Sequence, residues 1–548
     1  MIFKDHSSLT KKIEIQTGVV VVGFGGAGAC AAIEAHDAGA DVIVLEKQPE
    51  INHYSNTRMS GGGFHSPDPT GDKISLKEYS KAMLNGENIP WKFESKYPDL
   101  SDELAEAWVK YAPYNKKFLY SLDPDFKTVD FDTISFPQFP GARKSGYRVC
   151  RSTYTGKVKY EVGNKDIGEI KYTYRSTKDL PKLQKEGGEA VHACLLNGIK
   201  NRDIDIHYET SANKLEMNEK GEVIGVRAER KGIQVIYKTK RAVVLTSGGF
   251  EFNKLLRSAF LEGPGNEGWA FYGTSSNSGD GIIMALEAGA ALSKVANVSA
   301  RLTAAAPIKK NGLKIGMPLN VFGRANEIVV DNYGNRYTSE RRITKDPSRY
   351  CFYKEAVVFD IEKLLYPRIP SWMIFDETLR KKRTIVNTVV TEYHSIPWSE
   401  DNLEAVDKGW ILKASTIEEL ALMIRNHPDN RYLMEPQALI ESVKRYNEFC
   451  RNSNDKDFHR EVNTLGPIDN PPFYALPLYV GGPNTKGGIL ANAKGQVLNW
   501  GNQPIPRLYS AGEISSAFKF VYSAGGNIAE CITFGRIAGL NAASEKPL

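Results

Sequence analysis

Residues 18–47 read GVVVVGFGGAGACAAIEAHDAGADVIVLEK. A β-branched run is followed by a glycine turn, an alanine-rich stretch, a short polar loop and a second β-branched run ending in an acid. The order predicts strand, helix and strand. Gly23, Gly25 and Gly28 stand in G-x-G-x-x-G spacing, with Gly26 inside the same turn. The first permits the tight turn, the second lets a pyrophosphate approach the backbone, and the third lets helix and strand touch. Glu46 closes the second strand where a carboxylate would hold ribose hydroxyls, and Lys47 follows it. A Rossmann-like, dinucleotide-binding unit of an α/β fold is therefore expected. NAD and FAD both offer an adenosine ribose and a pyrophosphate, so other residues must choose between them.

The 548 residues (60.9 kDa, 41% hydrophobic) suffice for two or three domains, each with its own core. The 71 basic and 65 acidic residues are interspersed, for a net charge of +6. No basic face for nucleic acid stands out, and a small-molecule partner is expected. Cysteines 30, 150, 194, 351, 450 and 531 are scattered, without a C-x-x-C pair. That pattern suits a reducing cytoplasm and predicts no metal site. The start, MIFKDHSSLTKKIEIQ, is polar, and no run of about 18 apolar residues appears, so neither export nor membrane insertion is expected.

Downstream loops supply the choice of dinucleotide. NTRMSGGGFHSP (56–67) offers Asn56, Thr57, Ser60, Gly61 and Gly62 just after the second strand, a small and hydroxyl-rich surface for a planar ring. AVVLTSGGFEFN (242–253) ends a strand-like run in Ser247 and Gly248, and SNSGDGIIMALEAGAAL (276–292) sets Asp280 ahead of an apolar helix. Three loops after strands then converge on one crevice. Near the C-terminus come the strand–turn–strand GGILANAKGQVLN and then RLYSAGEISSA, a strand over 508–510 with Gly512 and Glu513 in its loop. In FVYSAGGNIAECITFGRIAG (520–539), Tyr522 precedes a small-residue turn. A helix beginning at Asn527 and Ile528 would aim its positive end at whatever that turn cradles.

On these residues the chain resembles the FAD-binding flavoproteins that include soluble fumarate reductases, urocanate reductases and 3-ketosteroid dehydrogenases. The resemblance spans about residues 16–65, 186–290 and 472–542. It implies non-covalent FAD, with Glu46 on the adenosine ribose and the 56–62 loop near the pyrophosphate and flavin. Glu513 would lie at the ribityl chain, and residues 525–529 would cap the pyrimidine end of the flavin. His53 and His65 flank the flavin loop and are read as ordinary histidines rather than flavin-linked ones.

The expected architecture is a split FAD-binding domain, residues 1–291 plus 472–548, with an inserted α+β capping, substrate-binding domain at 292–471. Turn-rich GPIDNPPF (466–473) marks the return. Within the insert, EIVVDNYGNRYTSE (327–340) predicts a hairpin turning at Asn332–Asn335, and STIEELALMIRNH and PQALIESVKRYNEFC predict helices. In the aromatic and basic 123–181 segment, GKVKYEVGNKDIGEIKYTYRS suggests another hairpin.

The resemblance also bears on substrate. Fumarate reductases clamp two carboxylates with histidines and arginines; at the matching positions this chain has Asn484 and Ser523. Arg341, Arg342, Lys345 and Arg349 are the candidates for the family's proton-donating arginine. The N-T-K-G-G turn and the tyrosine before the last turn look instead like ketosteroid dehydrogenases. That likeness implies that the Tyr522 hydroxyl and the Gly526 N–H hold a ketone oxygen, while a cap tyrosine, Tyr350 or Tyr353, moves the proton at the neighbouring carbon. Arg349 would lower the pKa of Tyr350. Tyr111, Tyr114 and Tyr120 are candidates for a third tyrosine. The expected activity is addition or removal of hydrogen across a C=C bond conjugated to a ketone on a ketosteroid or bile-acid-like substrate, with an external electron donor or acceptor. The alternative is reduction of a small unsaturated acid.

Overall fold

A computed structural model describes residues 13–51, 53–86, 100–132, 134–155, 164–167, 170–173, 187–321, 323–344, 349–387, 396 and 398–548. Strand β1 (Ile13–Val22), helix α1 (Gly26–Asp37) and strand β2 (Val42–Leu45) realise the first motif. Val19, Val20 and Val21 are fully buried and pair in parallel with β2 on one side and with Ile233–Leu245 on the other. A β-branched run without alternation is what a strand covered on both faces requires. Pro504–Ser510 and Asp205–His207 continue the parallel sheet on either side, and Val223–Arg230 and Thr210–Met217 extend it antiparallel.

The C-terminal helix, Gly526–Ala543, lies against α1. The two helices approach too closely for side chains at the crossing. A Cβ on Gly539 would fall 2.1 Å from the Ala31 carbonyl oxygen, and one on Gly535 would fall 2.7 Å from that of Ala27. The helices run in the same direction and are offset along their axes, so that Gly535, well inside the C-terminal helix, meets Ala27 in the first turn of α1.

A second, mostly antiparallel sheet is centred on Val298–Lys310 and Phe473–Thr485, flanked by Leu313–Met317 and Ala270–Phe271 on one side and by Ser371–Asp376 and Glu327–Val330 on the other. Helices Ile417–Arg425 and Pro436–Arg451 cover it, as their apolar spacing predicts, through Leu420, Ile424, Leu439 and Val443. This sheet draws a strand from each side of the 292–471 segment: Ala270–Phe271 precedes it, and Phe473–Thr485 follows it.

The expected 327–340 hairpin forms only its turn. Asp331 N–H donates to the Asn335 carbonyl, but the return arm makes one bridge, Val330 to Arg336, and the strand's partner is Ser371–Asp376. Arg336 and Glu340 are drawn inward to pair with each other and with Asp455 and Arg460, which turns the chain away from a ladder. In the 123–181 segment, Asn164–Ile167 and Ile170–Thr173 do pair antiparallel. Among the described residues no helix is long and apolar enough to cross a membrane, no acid, histidine and cysteine cluster suits a metal, and all six cysteines are free.

Candidate active site

A cavity of about 530 Å³ runs from the β1–α1 turn, past the C-terminal helix, to the second sheet. Gly23, Gly25, Gly26, Glu46, Lys47, Asn56, Thr57, Ser60, Gly61 and Gly62 line it, with Ser247, Gly248, Asp280, Glu513, Asn527 and Ile528. The fold thus brings together loops that are up to some five hundred residues apart in the chain. Two predicted glycines stand behind the wall. A Cβ on Gly28 would come 1.9 Å from the Gly23 carbonyl oxygen, so Gly28 serves helix–strand contact, as the motif's third glycine should. Gly512, at φ +80°, holds the close approach to Ala27.

The donors suit a dinucleotide. Both Glu46 oxygens accept backbone N–H groups, from Phe24 and Gln48, each at 2.8 Å, and a carboxylate keeps lone pairs for ribose hydroxyls. Burial raises its pKa, but His53 and these N–H donors outweigh that and keep it below the usual carboxylate value. Lys47 pairs with Asp280 at 2.7 Å. The Ser247 hydroxyl, on the cavity wall, is buried without a hydrogen-bond partner, as a group awaiting a ligand would be. Residues of this kind fit FAD. Neither His53 nor His65 lines the cavity, and His65 Nε2 is engaged with the Ser523 hydroxyl at 2.5 Å.

Glu513 stands beside a second buried carboxylate, Glu251, which the sequence reading left unassigned. Thr485 bridges them, its N–H to Glu251 at 2.8 Å and its hydroxyl to Glu513 at 3.2 Å, while Asn56 donates to Glu513 at 3.1 Å. Burial first, and for Glu513 then the neighbouring charge, raises the pKa of both.

At the far end the cavity meets a cluster of phenols and cations. Tyr522 and Tyr350 line it and touch edge to face, with ring centroids 4.7 Å apart. Burial, and then the charge of Tyr350, raises the Tyr522 phenol above its ordinary pKa, against the Gly525 N–H turned toward its oxygen. Tyr350 goes the other way. Burial raises it, but the guanidiniums of Arg301 and then Arg349, together with the facing Tyr272 hydroxyl, leave it below the ordinary value. The sequence named Arg349 for this role and missed Arg301.

Other candidates fall elsewhere. The Gly526 N–H donates to the Ser523 carbonyl at 2.7 Å, closing the turn, so the expectation that it reaches a ligand is corrected: the neighbouring Gly525 N–H faces Tyr522. Tyr353 is packed by Trp269 and bonds Asn297, away from the cavity, which corrects its candidacy beside Tyr350. Tyr111, Tyr114 and Tyr120 do not line the cavity either; Tyr114 and Tyr120 are exposed, and Arg536 covers Tyr111. Tyr272, directly after the strand Ala270–Phe271, lines the cavity in their place. Arg341 and Arg342 pair with Glu461 and Glu355, and Lys345 lies outside the described residues. Asn484 lines the cavity and accepts from Asn527 at 2.6 Å; Lys486 pairs with Glu530 at 3.1 Å.

Similar proteins match along nearly the whole chain. The FAD binding domain profile matches residues 18–528. A 3-oxosteroid 1-dehydrogenase of Mycolicibacterium smegmatis is 26% identical, over 96% of this chain and 97% of that protein. An NADH:fumarate oxidoreductase of Klebsiella pneumoniae is also 26% identical over 96% of this chain, which spans 47% of that longer protein. Among solved structures, a 3-ketosteroid delta1-dehydrogenase from Sterolibacterium denitrificans superposes with a TM-score of 0.73 at 22% identity, covering 96% of this chain and 99% of that one. A flavocytochrome c3 fumarate reductase gives 0.61 at 23% identity, covering 96% and 78%. With the glycine turn, the Glu46 carboxylate on the cavity wall and a profile match over most of its length, the chain belongs to the FAD binding domain family, and it is an FAD-dependent oxidoreductase.

Proposed function

We propose that this protein adds or removes hydrogen across a carbon–carbon bond conjugated to a ketone, on a steroid-like or bile-acid-like substrate. The observation that carries the reading is the contact of Tyr350 with Tyr522 at the wall of the FAD cavity. The two phenols have opposite characters. Tyr522, held protonated, is a hydrogen-bond donor for a carbonyl oxygen and stabilises the enolate formed beside it. Tyr350, the more acidic, exchanges a proton with the carbon next to that carbonyl. Bound FAD supplies the chemistry of the other hydrogen, taking or giving it as hydride. Electrons pass to or from a separate donor or acceptor. The whole-length 3-oxosteroid 1-dehydrogenase relative supports this reading.

A second reading, reduction of a small unsaturated acid, is favoured by one observation: Arg301 and Arg349 line the same end of the cavity, where a carboxylate could be clamped. Stopped-flow measurement of flavin oxidation and reduction with Δ4- and Δ1-3-ketosteroids, bile-acid ketones, fumarate and urocanate separates the two. Turnover of the ketones supports the first; turnover of fumarate or urocanate alone replaces it with the second.

A further inference from the structure

Arg301 is a charged side chain in an unusual position. It projects from near the start of Val298–Lys310, a central strand whose register sets it opposite Gly481 of Phe473–Thr485, and it is 8% exposed. Among the described residues no carboxylate pairs with it, and its Nε makes no hydrogen bond. Other buried cations are satisfied differently: Arg336 and Arg460 pair with Glu340, Lys486 pairs with Glu530, and Arg257, which also lacks a carboxylate, donates to the backbone carbonyls of Glu251, Asn266 and Trp269. A guanidinium taken out of water without a counter-charge is costly, so its place implies an anion in at least one state of the protein.

What faces it is phenolic. The guanidinium carbon lies 5.3 Å from the centre of the Tyr350 ring, and the buried Tyr272 hydroxyl, which faces both Tyr350 and Arg301, belongs to the same cluster. Arg349 lies 5.0 Å from the Tyr350 ring, and Tyr522 meets it edge-on. The groups around Tyr350 are therefore two cations and two phenols, with no described acid among them. Arg349 is the adjacent residue in a short helical turn, whereas Arg301 reaches across from a strand paired on both sides, so its position does not depend on that turn.

We propose that Arg301 is a positioning residue of the reaction, the resident counter-cation of the Tyr350 oxygen when that oxygen has lost its proton. This rests on the reading that Tyr350 is the proton-transfer group. In dehydrogenation, the Tyr350 oxygen would take the proton from the carbon beside the carbonyl and become the phenol, with bound FAD as the acceptor of the hydride. In reduction, the phenol returns that proton and the resulting negative oxygen rests against Arg301. The cluster thus gains one negative charge when the proton leaves Tyr350 and loses it when the proton returns, and with FAD as the hydride partner no further oxidant or reductant is required for either half.

The test is a near-ultraviolet phenolate titration of the FAD-loaded protein, alongside the pH profile of kcat with a substrate found in the panel above. Wild type should show one phenol titrating below the ordinary tyrosine range, absent in Tyr350→Phe. In Arg301→Met its midpoint should rise by about 1–2 pH units, the usual effect of losing a close opposite charge. The limb of the kcat profile should move with it. Arg301→Lys should restore most of the shift. If wild type and Tyr350→Phe titrate alike, the proposal fails even should no Arg301 variant fold. If Arg301→Met leaves the midpoint in place and instead raises KM for acids, Arg301 binds the substrate's anion and the proposal also fails. Should Tyr350→Phe keep its turnover rate, the functional reading falls first, independently of Arg301.

Discussion

Tyr350 and Tyr522 come from segments 172 residues apart, yet their rings meet at 4.7 Å with an interplanar angle of 87°. One phenol is held protonated by burial, and the other is made more acidic by the guanidinium of Arg301 and by Arg349. A pair of like groups whose environments push them apart suits acid–base work on a shared substrate.

Tyr522→Phe keeps the ring and removes only the hydroxyl. The chemical step should slow by about 100- to 1000-fold, as on loss of one oxyanion-hole donor, while flavin content and folding stay unchanged. Rapid-reaction rates and the visible spectrum check this. A loss of only a few-fold would make Tyr522 a packing residue.

Glu46→Ala leaves the Phe24 and Gln48 N–H groups without their acceptor and removes the carboxylate expected at the ribose. FAD affinity should fall by about 10- to 100-fold, the worth of one or two charge-assisted hydrogen bonds. Fluorescence titration of the stripped protein with FAD measures it; unchanged affinity would remove Glu46 from the adenosine site.

Gly28→Ala places a methyl group 1.9 Å from the Gly23 carbonyl oxygen, against backbone. Thermal stability should drop by about 3 kcal/mol, the upper end of overpacking costs. A Cβ on Gly61 meets nothing within 4 Å, so Gly61→Ala should melt like wild type when both are free of FAD. Equal losses in the two variants would contradict the packing described.

His65 is fully buried, and burial lowers its pKa to about 3. Between that value and the unfolded value near 6.5, the unfolded chain binds the extra proton. Stability should therefore fall as pH drops through this window, by up to about 1.4 kcal/mol per pH unit from this residue. His65→Gln should flatten that slope in urea melts, whatever its effect at pH 7; an unchanged slope would show that His65 is not the titrating group.

Glu251 and Glu513 carry the opposite sign. Their folded pKa values are raised, so their contribution is lost as pH rises above the unfolded carboxylate range. Glu251→Gln should raise the Tm of the FAD-free protein more at pH 8 than at pH 5. A Tm change independent of pH would mean that the folded protein does not hold these carboxyls above the unfolded range.

The sequence alone determined the βαβ unit and the FAD family, because the motif that carries them is local. A glycine turn, a β-branched strand and a terminal acid have their meaning within thirty residues, and Gly23, Gly25, Glu46 and Asn56 stand where the pattern expects them. It also picked Tyr522 and Tyr350, through the turn and the segment that carry them. Only the tertiary structure decided what surrounds them. Arg301 and Tyr272 sit in strands and loops with no motif, and they become site residues because the second sheet carries them to the cavity. The same holds for Gly526, whose N–H the turn consumes, and for the 327–340 arm, which buried ion pairs pull out of its hairpin. Backbone patterns are written in neighbouring residues; charge partners and cavity walls are set by which distant segments pack together.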